Sequence, residues 1–366
     1  MNQIEEVINY LESFAPLDYQ EGYDNAGLLV GDKKADLTGI LISLDITEVV
    51  IDEAIQKGCN LIVAHHPIIF SGLKKLTGKN YVERTVIKAI KNDIALYAAH
   101  TNLDNIQQGV NQKIAQKIGL KNTRILSPKK GVLKKLTFFC PSSHSQSVVK
   151  ELHTIGAGTI GNYSDCSFRT TGEGTFTPNE QASPHTGAIH KAEKVKEDRI
   201  ELLVPSHLSQ QAVATLHINH PYEEVAYYLQ NLENSSQDIG SGMIGELEQP
   251  IETIEFLNVL KSTFNLSVIK HTEITTKTIK SVALCGGSGS FLLPHAIAVH
   301  ADIFITGDFK YHEFFDADEK VIIADIGHYE SEACTKELFY DILTKKITNI
   351  AVYLTEVDTN PVSYFI

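Results

Sequence analysis

Residues 59–67 read CNLIVAHHP, an apolar run from Leu61 to Val63 that stops at two adjacent histidines, His65 and His66, followed by Pro67. A buried strand that ends in paired imidazoles delivers nitrogen ligands to the rim of a sheet, where ligands of open α/β structures commonly bind. Successive side chains on a strand point to opposite faces, but at its end the backbone bends and both rings can reach one site. Working outward, the flanks alternate in character. Residues 37–44 (LTGILISL) read as a strand ending at Asp45, and Thr47–Lys57 as a helix. Residues 60–64 form the next strand, Tyr81–Asn92 the next helix, and Ile94–Ala99 a third strand closing on His100. Strand–helix–strand order of this kind predicts an α/β layer structure.

Residues 280–308 repeat the plan: KSVALCGG as a strand with a polar exit, FLLPHAIAVHA as a helix, DIFITGD as a strand with a polar end. The likeness to SLD, EVVIDEAIQKG and NLIVAHH is one of pattern. It predicts two related lobes, with His65 and His66 facing Gly307 and Asp308 across a cleft. Between them lies a basic linker, Pro128 to Lys135, followed by a strand (KLTFFCP) and a helix (SQSVVKELHTIG). The Gly-, Thr- and Ser-rich stretch 156–178 reads as hairpin strands and turns, and 179–195 as a polar loop. A strand (RIELLVP), a helix (HLSQQAVATLHIN) and HPYEEVAYYLQNL follow. This order predicts an inserted ferredoxin-like α+β domain. The expected division is an N-terminal α/β lobe at 1–129, the insert at 130–247 and a C-terminal α/β lobe at 248–366.

Composition narrows the function. A chain of 366 residues is too long for one ordinary core. Its 43% hydrophobic content is that of a globular protein. No apolar stretch approaches the roughly 18 residues that cross a bilayer. The start, MNQIEEVINYLESF, is an acidic amphipathic helix without the features of a secretion signal, so a cytosolic protein with no membrane partner is expected. Five scattered cysteines with no Cys-x-x-Cys pair argue against a thiolate zinc site and a disulfide framework. A net charge of −13 argues against duplex nucleic acid as a general partner. An anionic small substrate stays open, since bound divalent cations would reverse the local field.

The chemistry concentrates at three strand ends. His65-His66 alone could be a capping or surface pair. His328-x-x-x-Glu332 follows the apolar strand VIIADIG, and residues at i and i+4 share a helix face, so imidazole and carboxylate can meet on one ion. Alone, that pair has the commoner reading of a solvated helix face. A glutamate can also bridge two ions roughly 3.5–4 Å apart. His100-Thr-Asn-Leu-Asp104 adds a hard carboxylate, with His100 a ligand, an orienter or a proton-transfer group. Together these ends predict a two-metal site, and the His/Asp/Glu set suits zinc, iron, manganese or nickel. The turn CGGSGSF (285–291) could cradle a phosphate on its amides or simply pack tightly. Asp308 and His312 are candidates for the cleft wall, with an N-cap and a surface histidine as the ordinary readings.

Six blocks, DNAGLLVGD (24–32), SLDIT (43–47), IVAHHPIIF (62–70), HTNLDNIQQGVN (100–111), TGDFKYHEFFDA (306–317) and GHYESE (327–332), resemble the signature of the GTP cyclohydrolase 1 type 2 homologue family. These are NGG-interacting-factor-like proteins with a dinuclear metal centre. The resemblance implies metal ligands at His65, His66, Asp104, His328 and Glu332, with Glu332 bridging, and two divalent ions per chain. It implies that the insert is similar to PII and CutA proteins, and that the chain forms a toroidal homohexamer. It also implies a metal-dependent hydrolase opening the guanine ring of GTP at C8. His100 would then shuttle a proton, and Asn25, Gly287, Asp308 and His312 would contact substrate. The alternative is a non-catalytic metal-binding, metal-delivery or regulatory hexameric protein.

Overall fold

Strands carry the architecture, and their ranges follow the chain. They are β1 Gly27–Val30, β2 Ile40–Ser43, β3 Leu61–Ala64, β4 Ala95–Ala98, β5 Lys121–Lys130, β6 Leu133–Pro141 and β7 Phe168–Phe176. After these come β8 Glu193–Pro205, β9 Tyr227–Asn231, β10 Ser235–Glu252, β11 Lys270–His271, β12 Thr278–Ser288, β13 Ile303–Gly307, β14 Ile322–Asp325 and β15 Val352–Leu354. The computed structural model describes residues 2–365. The chain divides into two compact units, one made of the segments up to Pro128 and from Asp238 onward, the other of Lys129–Gln237.

The first unit holds two sheets, ordered β1-β4-β3-β2-β15 and β11-β14-β13-β12-β10-β5. At the centre of one, β2, β3 and β4 run parallel, Val63 pairing with Ile42 on one side and Tyr97 on the other. At the centre of the other, β12, β13 and β14 run parallel, Ile305 pairing with Leu284 and Ala324. Strands β2, β3, β4, β13 and β14 are buried throughout. Parallel strands are covered on both faces, so their sequences read as continuous apolar runs rather than alternating ones. The helices Glu48–Gln56 and Tyr81–Lys91 pack Val50, Ile51, Val86 and Ala89 onto Leu41, Ile62 and Leu96. Thr47 and Asn80 cap them by accepting from the Val50 and Glu83 amides, which is why each helix begins where it does. In the second sheet, Leu293 and Ala296 cover Ala283, Phe304 and Ile323.

The lobes read from the sequence are both present, but their boundaries differ. Strand β15, from the C-terminal region, pairs parallel with β2, Val352 opposite Ile40. Strand β5, from the expected N-terminal lobe, lies at the edge of the other sheet beside β10. Each expected lobe thus lends a strand to the other's sheet, and the segments up to Pro128 and from Asp238 onward form one interlocked unit. The expected boundary at 247 also falls inside β10, whose Met243–Glu246 pair antiparallel with Leu284–Ser281. Local periodicity shows that a strand exists, not which strand it joins. FLLPHAIAVHA differs too, splitting into a 3-10 turn (Ser290–Leu292) and a helix from Leu293 to Ala298 that starts around Pro294.

The second unit runs β6, helix Ser145–Thr154, β7, β8, helix Ser209–Asn219, β9. Its sheet is antiparallel in the order β7-β8-β6-β9. Val148, Leu152, Ala212 and Leu216 from the helices close on Leu136, Phe138, Ile200 and Leu202. Among the described residues no helix is long and apolar enough to cross a membrane.

Candidate metal centre

The carboxyl ends of six parallel strands meet at one place in the first unit. After β2 comes Asp45, after β3 His65 and His66, and after β4 His100 and Asp104. The glycine turn begins within the last residues of β12, past β13 lies Asp308, and past β14 the short helix His328–Glu332. That helix begins at Gly327, whose φ of 92° lies where a side chain is strained.

His65 is fully buried. Its Nδ1 lies 2.9 Å from the Ala99 carbonyl oxygen, which can only accept, so Nδ1 donates and Nε2 offers a lone pair. That lone pair faces Asp104 Oδ1 and Glu332 Oε1, each at 3.6 Å. His65 Nε2 and Asp104 Oδ1 are both buried without a hydrogen-bond partner. Acceptors converging in a buried site repel one another, and a cation is the group that reconciles them, a metal ion or, without one, a proton on His65. The donor set fits a divalent ion.

The neighbouring half is built alike. Nδ1 of His66 lies 2.7 Å from Asp45 Oδ1, and Nδ1 of His328 lies 2.7 Å from Asp308 Oδ2. Both Nε2 atoms converge on Glu332 Oε2, at 2.9 and 3.1 Å, and stand 3.4 Å apart. Glu332 therefore presents one oxygen to each half. The sets His65/Asp104/Glu332 and His66/His328/Glu332 each bring their ligand atoms within 4.8 Å of one another, as does His65/His66/His100. Asp24 accepts from His100 Nδ1 at 2.8 Å.

Electrostatics follow from this geometry. Burial alone would lower the His66 pKa, but Asp45 and Glu332 carry it up to about 10. The same opposition, with Glu332 and Asp308 prevailing, puts His328 at about 9. Burial favours a neutral Glu332, yet His65, His328 and His66 hold it well below the usual carboxylate range. Asp104 is pushed up, chiefly by burial, against the pull of His65. Burial works against ionised Asp24, but hydrogen bonds from His100 and Thr101 hold its pKa at about 2. The Cys285 thiol is pushed up by burial and stays protonated.

All five residues expected as ligands are brought together, and His100 stands beside them. The expected substrate residues fare differently. Asp308 lines the cleft while holding His328. Asn25 is spent on the fold, its Nδ2 donating to the Ile69 carbonyl at 2.6 Å. His312 is exposed on the 3-10 helix Tyr311–Ala317, against Tyr311 and Phe315. Gly287 supports the cluster from behind. Its amide donates to Ser331 Oγ, that of Gly286 to Asn111 Oδ1, and that of Gly289 to Thr306 Oγ1. With those amides committed, the turn packs rather than cradling a phosphate.

Sequence reading missed the residues behind the imidazoles, Asp24, Asp45 and Asp308, as orienting groups. Asp24 and Asp45 do open or end conspicuous apolar segments, which is a usable signal. It also missed the C-terminal tail, where Thr359 Oγ1 donates to Asp45 Oδ2 at 2.6 Å. A cavity of about 870 Å³ opens over the cluster, walled by Tyr23, Phe70, Lys270, Phe291 and Tyr364 among others.

Residues 2–361 match the Duf34/NIF3 (NGG1p interacting factor 3) family. The chain is 35% identical over 367 residues to the GTP cyclohydrolase 1 type 2 homolog of Staphylococcus epidermidis, covering 99% of this chain and 100% of that protein. It is 34% identical over 370 residues to the protein so named in Bacillus subtilis, covering 98% of each. Among solved structures, a Bacillus cereus protein related to NIF3 superposes with a TM-score of 0.85 at 35% identity, over 99% of both chains.

Proposed function

The chain belongs to the Duf34/NIF3 family, and from that premise we propose that it is a metal-binding protein holding two divalent cations and hydrolysing a nucleotide, GTP first among candidates. The observation that carries the metal is the unpartnered, buried pair His65 Nε2 and Asp104 Oδ1. One ion would sit on His65, Asp104 and Glu332 Oε1, the other on His66, His328 and Glu332 Oε2. Two such cations lower the pKa of water toward neutrality and polarise the group under attack. His100, pinned at Nδ1 by Asp24, is placed to take or return a proton. Tyr23, Phe70 and Phe291 offer flat apolar walls to a base, while the Lys270 ammonium at the same cavity is paired with Asp325. The name of the curated relatives supports GTP as substrate. Homohexamer formation, and a PII- or CutA-like role for the second unit, rest on the family resemblance and on that unit's β-α-β-β-α-β order.

The test is turnover of GTP and a panel of nucleotides and phosphoesters by protein loaded in turn with zinc, iron, manganese or nickel. Formate release from GTP, absent in a His66→Ala, Glu332→Ala double variant, is the expected result. Silence across the panel in protein holding about two metals per chain removes the hydrolase reading. One feature favours metal delivery in that case. The His328 side chain is 37% exposed while that of Glu332 is 4%, which leaves the second half open to exchange.

Protons and cations compete for the same lone pairs. With His66 raised to about 10 and His328 to about 9, both rings are charged at pH 7. Metal uptake there is expected to expel protons, and affinity to rise with pH until those values are passed. Titration calorimetry in buffers of different ionisation enthalpy reads the released protons, and a result of none refutes the assignment. Asp45→Asn and Asp308→Asn keep shape but weaken the hold on His66 and His328. Each should cost about 10–100-fold in metal affinity, measured by competition with a chelating dye.

A further inference from the structure

A second cavity, of about 720 Å³, lies wholly within the unit Lys129–Gln237. One wall is the helix Ser145–Thr154, where Ser145, Val149 and His153 form one i,i+4 row and Gln146, Lys150 and Thr154 the adjacent row. The other wall comes from the edge strand β7 and the residue before it, Ser167. Arg169 pairs directly with Ile200 across the ladder, so the two side chains share a face. Ile200 is fully buried in the core beneath the helices, which places Arg169 on the helix side above an apolar floor.

Of the two cations in this notch, one is unpaired and one is held only at long range. Lys150 is exposed and makes no ion pair among the described residues. Arg169 Nη1 stands 3.7 Å from Asp198 Oδ2, well beyond the roughly 2.7–2.9 Å of a formed guanidinium–carboxylate bond. Asp198 is already satisfied by hydroxyl donors, Ser142 at 2.9 Å, Ser145 at 2.7 Å and Thr171 at 2.8 Å. His153 has its Nε2 buried without a partner, and its Nδ1 lies 3.6 Å from the one acid of the lining, Asp165. Gln146 and Ser167 add neutral donors, while the Thr154 hydroxyl is spent on the Lys150 carbonyl at 3.0 Å. In a chain of net charge −13, the unpaired Lys150 and the loosely held Arg169, beside a row of donors and over a small apolar floor, form a recognition pattern for an anion.

We propose that this notch binds a small phosphate-bearing anion, with Lys150 and Arg169 supplying the charge and Gln146 and Ser167 the hydrogen bonds. The cavity is larger than a phosphate ion and falls in the roughly 300–1,000 Å³ range of small-molecule sites. A phosphate ester is therefore the favoured form over the free ion. The site is independent of the metal cluster and of the hydrolase reading.

Calorimetric titration of the full chain with inorganic phosphate and with AMP, at fixed ionic strength, tests it. Saturable binding is expected, kept in His66→Ala and weakened at least tenfold in Lys150→Ala, Arg169→Ala, both side chains being exposed and dispensable for folding. Charge reversal in Lys150→Glu alone should have the same effect. Tighter binding of AMP identifies the ester, and equal binding of both identifies the free ion. No saturable binding, binding that survives in the double variant, or binding lost in His66→Ala overturns the proposal, the last because the anion would then sit on the metals.

Discussion

Replacing Glu332 by glutamine is expected to empty both halves of the cluster at once. The side chain is 3% exposed, and its two oxygens face opposite ways, Oε1 toward His65 and Asp104, Oε2 toward His66 and His328. Glutamine keeps the volume, so packing survives, but it offers one oxygen and puts an NH2 group where the other stood. Whichever half receives the NH2 loses a ligand and gains a donor, and both lose the shared negative charge. The loss of affinity should exceed the ~10–100-fold expected for an orienting residue. Elemental analysis after dialysis should fall from about two metals per chain to a small fraction of one, with melting still cooperative. A Glu332→Gln protein that keeps both metals would remove the bridging role.

Gly287→Ala should damage the same site from a residue that ligates nothing. At φ +61° the backbone is left-handed, which costs an L residue about 1–2 kcal/mol. A Cβ there would collide with Glu332 Oε1, lie 3.0 Å from its Cδ and approach His328 Cε1 to 3.3 Å. Glu332 cannot swing aside freely, because His66 and His328 hold its other oxygen. Either the carboxylate or the turn must move. We expect a stability loss of about 1–3 kcal/mol together with metal loss comparable to that of Glu332→Gln. Gly172→Ala, where nothing lies within 4 Å of the added methyl, is the neutral control. Unchanged metal content in Gly287→Ala would refute this account of the glycine.

Much of the site was legible before any coordinates. His65 and His66 stand out because a buried parallel strand has a sharp end, and chemistry placed there is visible as a break in apolar sequence. His328 and Glu332 were legible for the same reason, helped by helical spacing. Asn25, Gly287 and His312 show the limit of that reasoning. Each lies in a conspicuous block, yet Asn25 and Gly287 hold the framework and His312 faces outward on a neighbouring surface. A block of sequence carries its structural and chemical residues without distinguishing them.

The α/β class, the strands whose ends carry the histidines and acids, the order of elements in the second unit and the five convergent side chains were legible in the sequence. Periodicity and strand ends are properties of consecutive residues, and consecutive residues are what a sequence displays. The tertiary structure alone decided that β15 and β5 cross between sheets, that Asp24, Asp45 and Asp308 fix the outer nitrogens of three imidazoles, and that the C-terminal tail reaches Asp45. These are pairings between segments far apart along the chain. A hydrogen bond depends on a distance held to within a few tenths of an ångström and on an angle, and folding alone sets those between such segments.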